Sequence, residues 1–87
     1  MTCHDFMCVV VKHREKNAVK VQEILTKYGC IIRVRLGLHE VREDQCEDEG
    51  IIMLNLCGKE EEMKKLQEEL NAVEGVFAER IHIEPRK

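Results

Sequence analysis

Aromatic side chains and an excess of basic residues are both missing from this sequence. Aromatic residues make up 3% of its 87 residues, and there is no tryptophan. Proteins bind single-stranded nucleic acids on aromatic stacking platforms and bind duplexes with clustered basic residues. Because the formal net charge is −3, we expect no direct binding of nucleic acid.

Long hydrophobic runs are missing as well. The apolar stretches span six or seven residues, whereas a membrane-spanning helix needs about 20. The first five residues lack the basic and apolar regions of a signal peptide. We therefore expect a cytoplasmic protein that does not associate with membranes.

The five cysteines show no recognised pairing pattern. Their number is odd, and no two of them have the CxxC spacing of zinc and redox motifs. We therefore expect reduced thiols, with no disulfide framework, no zinc knuckle and no cofactor. The sequence also has no P-loop, dinucleotide fingerprint or nucleophile elbow, which predicts a protein that is not an enzyme.

What the sequence does contain is a regular succession of apolar patterns. A β-branched run at 6–11 and an apolar run at 51–57 are typical of strands, and the alternation at 31–40 indicates a half-buried strand. Val21, Leu25 and Tyr28 have helical spacing after Asn17, a good N-cap. The prediction is strands at 6–11, 31–40, 51–57 and 76–83, with helices at 17–28 and 63–73.

The two halves of the chain repeat each other. A shift of 45 residues places Phe6 on Ile51 and Val21 on Leu66. Two βαβ units in tandem predict an α+β, ferredoxin-like βαββαβ (ACT-like) fold. Its four-stranded antiparallel sheet has the order 4-1-3-2, with both helices on one face. We expect one domain over residues 1–87.

The predicted central strands are apolar on both sides. In the strand at 51–57, Leu54 and Leu56 belong to one face, and Ile51 and Met53 to the other. The helices cover only one face, so the other face would carry a contiguous apolar patch, which monomers rarely expose. We expect further copies of the chain to cover it, in a homodimer or homotetramer.

Several segments together carry a family resemblance. They are His13-Arg14-Glu15-Lys16, Tyr28-Gly29, Arg33-Val34-Arg35-Leu36-Gly37, the run at 50–56 and Glu74-Gly75-Val76. Through them, residues 6–84 resemble the small ACT-like proteins known as iron-only hydrogenase system regulators. This resemblance implies an ACT-type fold, a homo-oligomer and a regulatory role in that system, such as transcriptional regulation.

A more distant resemblance is to the C-terminal domain of the nickel-responsive repressor. That domain binds nickel through histidines and a cysteine around its second strand, and the nearest candidates here are His39 and Cys46. The matching strand positions hold Arg33 and Arg35, whose protonated guanidinium groups cannot ligate a metal. The DNA-binding segment of that repressor is also missing, so transcriptional regulation implies a separate DNA-binding partner.

Two groups of residues are candidates for binding a small anionic effector or amino acid. The first lies along one side of the second strand and comprises Arg33, Arg35, Gly37 and His39. Guanidinium groups bind carboxylates or phosphates, although charges on an edge strand also serve to block aggregation. The second group, His13 and Arg14, lies in the loop near which ACT-type domains bind effectors. The alternative there is an ordinary solvated loop.

A metal- or redox-sensing module is the main alternative function. The predicted topology brings Cys8, Cys30 and Cys57 to one end of the sheet, where thiolates could bind iron or zinc. His39 with Cys46 is a second candidate pair. Free cysteines are also commonly small buried hydrophobic residues. A third hypothesis is a non-catalytic interaction subunit whose partner binds the acidic segment at 43–49.

Overall fold

The computed structural model describes residues 3–38 and 49–85, with Leu38 described by its backbone alone. The chain forms strands and helices in the order βαββαβ within these ranges. The elements are β1 (Asp5–Lys12), α1 (Arg14–Lys27), β2 (Ile32–Leu38), β3 (Glu49–Leu56), α2 (Glu60–Asn71) and β4 (Val76–His82), with a 3₁₀ turn at Gly29–Ile31.

The four strands form one antiparallel sheet of order β2-β3-β1-β4. Read from the other edge, this is the predicted order 4-1-3-2. The central strand β1 pairs with both β3 and β4, so that Val9 lies between Ile52 and Ala78. The prediction of an α+β, ferredoxin-like fold is therefore confirmed.

Both helices pack on one face of this sheet and enclose the core. The helices contribute residues three or four positions apart, which is the spacing of one helical face. Each large aliphatic side chain buried in this way stabilises the fold by about 1.5–3 kcal/mol. The core residues include Met7, Val9, Val11, Leu54 and Leu56 from the sheet and Val21, Leu25, Met63, Leu66 and Leu70 from the helices. Neither described α-helix has the length and hydrophobicity to cross a membrane.

The first helix begins at Arg14 and not at Asn17, so the predicted N-cap is wrong. His13 is the N-cap, and its backbone has left-handed angles of φ 54° and ψ 52°. Asn17 is buried instead, because its side-chain amide donates hydrogen bonds to the carbonyl oxygens of Lys12 at 2.8 Å and Glu74 at 2.9 Å. This amide joins the end of β1 to the turn before β4.

The prediction that β2 is half-buried is also wrong. Val34 and Leu36 point to the open face of the sheet and are 57% and 53% exposed. The register places them opposite Asn55 and Met53, after an irregularity between Ile32 and Val34. The apolar side of this edge strand therefore lies on the face that the helices leave uncovered.

The prediction that all the cysteines are reduced is wrong for one pair. Cys3 and Cys57 form a disulfide, with Cα atoms 5.2 Å apart. Cys3 precedes β1 and Cys57 follows β3, and the antiparallel pairing of Asp5 with Leu56 brings these ends together. The contact depends on strand register, which the cysteine spacing does not reveal. Cys8 and Cys30 are free thiols.

Candidate functional site

A pocket of about 330 Å³ lies between α1 and the sheet. Its size is within the range of roughly 300–1,000 Å³ that is typical of small-ligand sites. Most of its wall is aliphatic, and its polar side chains come from α1. The lining residues are Val11, Arg14, Ala18, Val21, Gln22, Gly37, Gly50 and Ile52.

Two glycines bring the backbone of the sheet to the wall of this pocket. A Cβ atom on Gly37 would meet no other atom within 4 Å, so this part of β2 faces open space. A Cβ atom on Gly50 would lie 3.2 Å from Cδ of Arg14. The Arg14 side chain therefore crosses β3 at Gly50, the single glycine of that strand.

A hydrogen bond from the sheet to the helix borders the pocket. Nη2 of Arg35, on β2, donates to Oε1 of Gln22, on α1. Arg35 pairs with Leu54, whose side chain is buried under the helices, so the arginine extends on the helix-covered side of the sheet. This bond orients Gln22, which lines the pocket.

The structure separates His13 from Arg14, although the two are adjacent in sequence. His13 lines a different groove, of about 380 Å³, together with Lys16, Lys20 and Glu74. The left-handed backbone of His13 turns the chain between β1 and α1. The predicted effector loop is thus divided, and only Arg14 reaches the pocket beside the sheet.

The other predicted ligand-binding residues lie at different places. Gly37 lines the pocket with Arg14, and Arg35 reaches it through Gln22. Arg33 is exposed at the irregular start of β2. His39 lies outside the described residues. The structure therefore brings Arg14, Arg35 and Gly37 together and leaves Arg33 apart from them.

The predicted cysteine cluster forms only in part. Cys30 and Cys57 line one pocket with Cys3, whereas Cys8 lies in the interior of β1 opposite Met53 and Glu79. The candidate ligands His39 and Cys46 are both outside the described residues. Within 3–38 and 49–85, no three histidine, cysteine or acidic side chains come together at a metal-binding spacing.

The ionisable groups with shifted pKa values lie outside this pocket; His82 is exposed, whereas Tyr28 and Glu69 are half-buried. Hydrogen bonds from the His82 ring, first to Glu84 and then to Asp5, raise the pKa of His82. The Tyr28 hydroxyl donates to Glu69, which raises the pKa of Tyr28 and lowers that of Glu69. These pairs link surface elements.

Sequence reasoning missed two residues of the pocket, Gln22 and Gly50. The role of Gly50 could have been predicted from the sequence, since a glycine within a strand often marks a close approach of another group. The role of Gln22 could not have been predicted, because a glutamine on the exposed side of a helix is common. Its role depends on Arg35, which lies 13 residues further along the chain.

A family model described as "TM1266-like: Iron-only hydrogenase system regulator, putative" matches residues 5–79. The chain belongs to this family. This confirms the resemblance that the sequence motifs indicated. No curated protein sequence matches the chain.

Solved structures similar to this one include those of TM1266 and CPII. The uncharacterized protein TM1266 from Thermotoga maritima gives a TM-score of 0.80 and 29% identity, covering 92% of this chain and 95% of that one. The second is CPII, a nitrogen regulatory PII-like protein from Thiomonas intermedia K12 bound to ADP, AMP and bicarbonate. It gives a TM-score of 0.53 and 14% identity, covering 93% of this chain and 90% of that one. At that identity, the second likeness shows the fold alone.

Proposed function

We propose that this protein is a non-catalytic, small-ligand-sensing subunit of an iron-only hydrogenase regulatory system, working in the cytoplasm as a homo-oligomer. The observation that carries the proposal is the aliphatic pocket lined by Arg14, whose side-chain carbons lie over Gly50. Family membership supports the regulatory role. CPII, which has the same fold, is bound to ADP, AMP and bicarbonate, so the fold is compatible with small ligands.

The composition of the pocket favours an anion with an apolar body. A guanidinium group binds a carboxylate through two parallel charge-assisted hydrogen bonds. Val11 and Ile52 offer aliphatic surface in the same pocket. An amino acid or a short-chain carboxylic acid combines these two features, and about 330 Å³ is space enough for it. We infer this ligand class for the site.

Arg35 acts in this proposal through Gln22. Its guanidinium group holds the Gln22 amide oxygen, which leaves the Gln22 amide nitrogen as a donor beside the pocket. Removing Arg35 lets Gln22 change rotamer, so binding becomes weaker without loss of the main charge contact to Arg14. Arg35 is therefore a positioning residue.

The open face of the sheet supports the proposal of a homo-oligomer. Strand rise and spacing give this face, which also holds Asn55 and Glu79, a plan area of roughly 450 Å², and apolar patches of a few hundred Å² often mark interaction sites. Phe77 and Ile81 extend the patch across β4 to the other edge and are about half exposed. A second copy of the chain carries the same self-complementary surface, so a two-fold homodimer covers both faces at once.

Isothermal titration calorimetry with defined probes tests the ligand proposal. The panel comprises the L-amino acids, short-chain carboxylates, bicarbonate, AMP and ADP. We expect saturable binding of a carboxylate and about a tenfold weaker affinity, or roughly 1.4 kcal/mol, in Arg14→Ala. Lys20→Ala removes an exposed positive charge from the same helix and leaves the affinity unchanged. A protein that binds no probe, or whose two variants lose affinity equally, contradicts the proposal.

A further inference from the structure

Three cysteines line one pocket at the end of the sheet where β1 begins and β3 ends. The disulfide joins Cys3 to Cys57, while Cys30 is an exposed free thiol. All three line the same pocket, which has a volume of about 530 Å³. A free thiol beside a disulfide is the arrangement that thiol–disulfide exchange requires.

The backbone around Cys30 is fixed against the backbone around Cys57. The N–H group of Cys57 donates to the carbonyl oxygen of Ile31 at 2.8 Å. Gly58 lies so close that a Cβ atom there would be 2.6 Å from Cγ2 of Ile31. Because Ile31 directly follows Cys30, these two contacts hold the backbone at Cys30 close to the backbone at Cys57, and both side chains line the same pocket.

The surroundings of the three sulfur atoms allow the reaction to start. Cys30 is exposed, so small thiols and disulfides from solvent have access to it. Lys59, Asp5 and Glu62 line the same pocket, so its lining carries charges of both signs.

We propose that Cys3, Cys30 and Cys57 form a thiol–disulfide exchange site in which Cys57 changes its partner. The Cys30 thiolate attacks Sγ of Cys57, a Cys30–Cys57 bond forms and the Cys57–Cys3 bond breaks. The electron pair leaves on Sγ of Cys3, which takes up the proton that Cys30 gave up. The exchange is therefore balanced without an external oxidant or reductant.

The exchange changes how the segment before β1 is held. With Cys3 released, this segment loses its covalent link and keeps the hydrogen bonds from the Asn55 amide to the Cys3 carbonyl oxygen at 3.2 Å and from the Ile83 N–H to the His4 carbonyl oxygen at 3.0 Å. Asn55 belongs to the open face of the sheet. A change of disulfide partner therefore alters how the Cys3 segment is held against Asn55, at one end of the open face.

Disulfide mapping of the full chain tests the exchange. The protein is equilibrated without oxygen in mixtures of reduced and oxidised glutathione, quenched with acid, alkylated and digested, and its linked peptides are identified by tandem mass spectrometry. We expect Cys3–Cys57 and Cys30–Cys57 linkages to occur together. In Cys3→Ser, Cys30–Cys57 becomes the main linkage, and in Cys30→Ser this linkage is lost.

Cys8→Ser is the matched control, because Cys8 lies on the open face and away from the pocket. We expect its linkage pattern to equal that of the unchanged protein. The proposal is overturned if the unchanged protein shows no Cys30–Cys57 peptide at any glutathione ratio. It is overturned equally if natively folded Cys3→Ser yields glutathione adducts on Cys57 and no link to Cys30.

Discussion

The Arg14 side chain lies over Gly50 on the helix-covered face of the sheet, since a Cβ atom on Gly50 would lie 3.2 Å from Cδ of Arg14. The glycine at the start of β3 therefore determines where the arginine at the start of α1 lies. This contact joins the two halves of the βαββαβ repeat at the pocket. The path of the Arg14 side chain thus depends on a residue that has no side chain of its own.

Replacing Gly50 with alanine should displace Arg14 without unfolding the protein. The nearest atoms belong to a flexible side chain, so the strand accommodates the methyl group while the guanidinium group moves. We expect about a tenfold loss of carboxylate affinity by calorimetry, with unchanged far-UV circular dichroism. Gly29→Ala, where a Cβ atom meets nothing within 4 Å, is the matched control. Equal affinities for the two variants contradict the assigned role of Gly50.

Asn17 is expected to be a stability residue. Its amide is the shared donor for the carbonyl oxygens of Lys12 and Glu74, and Asn17→Ala leaves both acceptors unsatisfied near the core. The expected loss in the free energy of unfolding is about 2 kcal/mol, measured by urea denaturation. Lys16→Ala, at an exposed position of the same helix, should change it by less than about 0.5 kcal/mol. If both variants lose the same free energy, the amide does not link these elements.

Leu36→Glu should dissociate the homo-oligomer. Leu36 is 53% exposed on the open face, in the edge strand β2, and burying a carboxylate in an apolar interface without a partner is costly. Analytical ultracentrifugation should report a monomer for this variant and an oligomer for the unchanged chain. Val19→Glu introduces the same charge at a residue of α1 that is 66% exposed and should leave the oligomer intact. An oligomer that survives Leu36→Glu uses another surface.

We predict that His82 stabilises the fold at low pH and that this stabilisation decreases as the pH rises. Its pKa in the folded state is raised above the ordinary value by hydrogen bonds to Glu84 and Asp5. The stabilisation is therefore complete below the unfolded pKa of about 6.5 and is lost as the pH rises through the raised value. The Tm difference between the unchanged protein and His82→Gln should be positive near about pH 5.5 and close to zero near about pH 9. A difference that stays constant with pH contradicts this assignment.

The fold was predictable because the sequence shows two kinds of regularity: the spacing of apolar residues within each element and a repeat between the two halves of the chain. The β-branched run of β1 and the helical spacing of Val21 and Leu25 gave the elements, and the 45-residue repeat gave the sheet order. The start of α1 was not predictable from Asn17. In the sequence, an asparagine that caps a helix and an asparagine that is buried in its first turns both precede the apolar helical pattern. Its burial depends on the Glu74 carbonyl group, 57 residues further along the chain.

The candidate site was predictable only as a set of residue types. The arginines of β2 and the helix loop indicated an anion site, but alternation alone could not show that Arg35 bonds to α1 while Arg33 lies apart. The same limit applies to Cys3, whose partner depends on the register between β1 and β3. Long-range register and side-chain direction decided which candidates came together.

Native mass spectrometry tests the ligand-sensing homo-oligomer most directly, because it reports subunit number and bound mass in one spectrum. The full chain is incubated with the panel of amino acids and short-chain carboxylates before measurement. We predict a homo-oligomer that carries one ligand mass per chain at saturation, and a clearly smaller ligand-bound fraction for Arg14→Ala at the same ligand concentration, because its affinity is about tenfold weaker. A monomer, an oligomer that takes up no probe, or an Arg14→Ala variant with the same ligand-bound fraction as the unchanged protein would contradict this prediction.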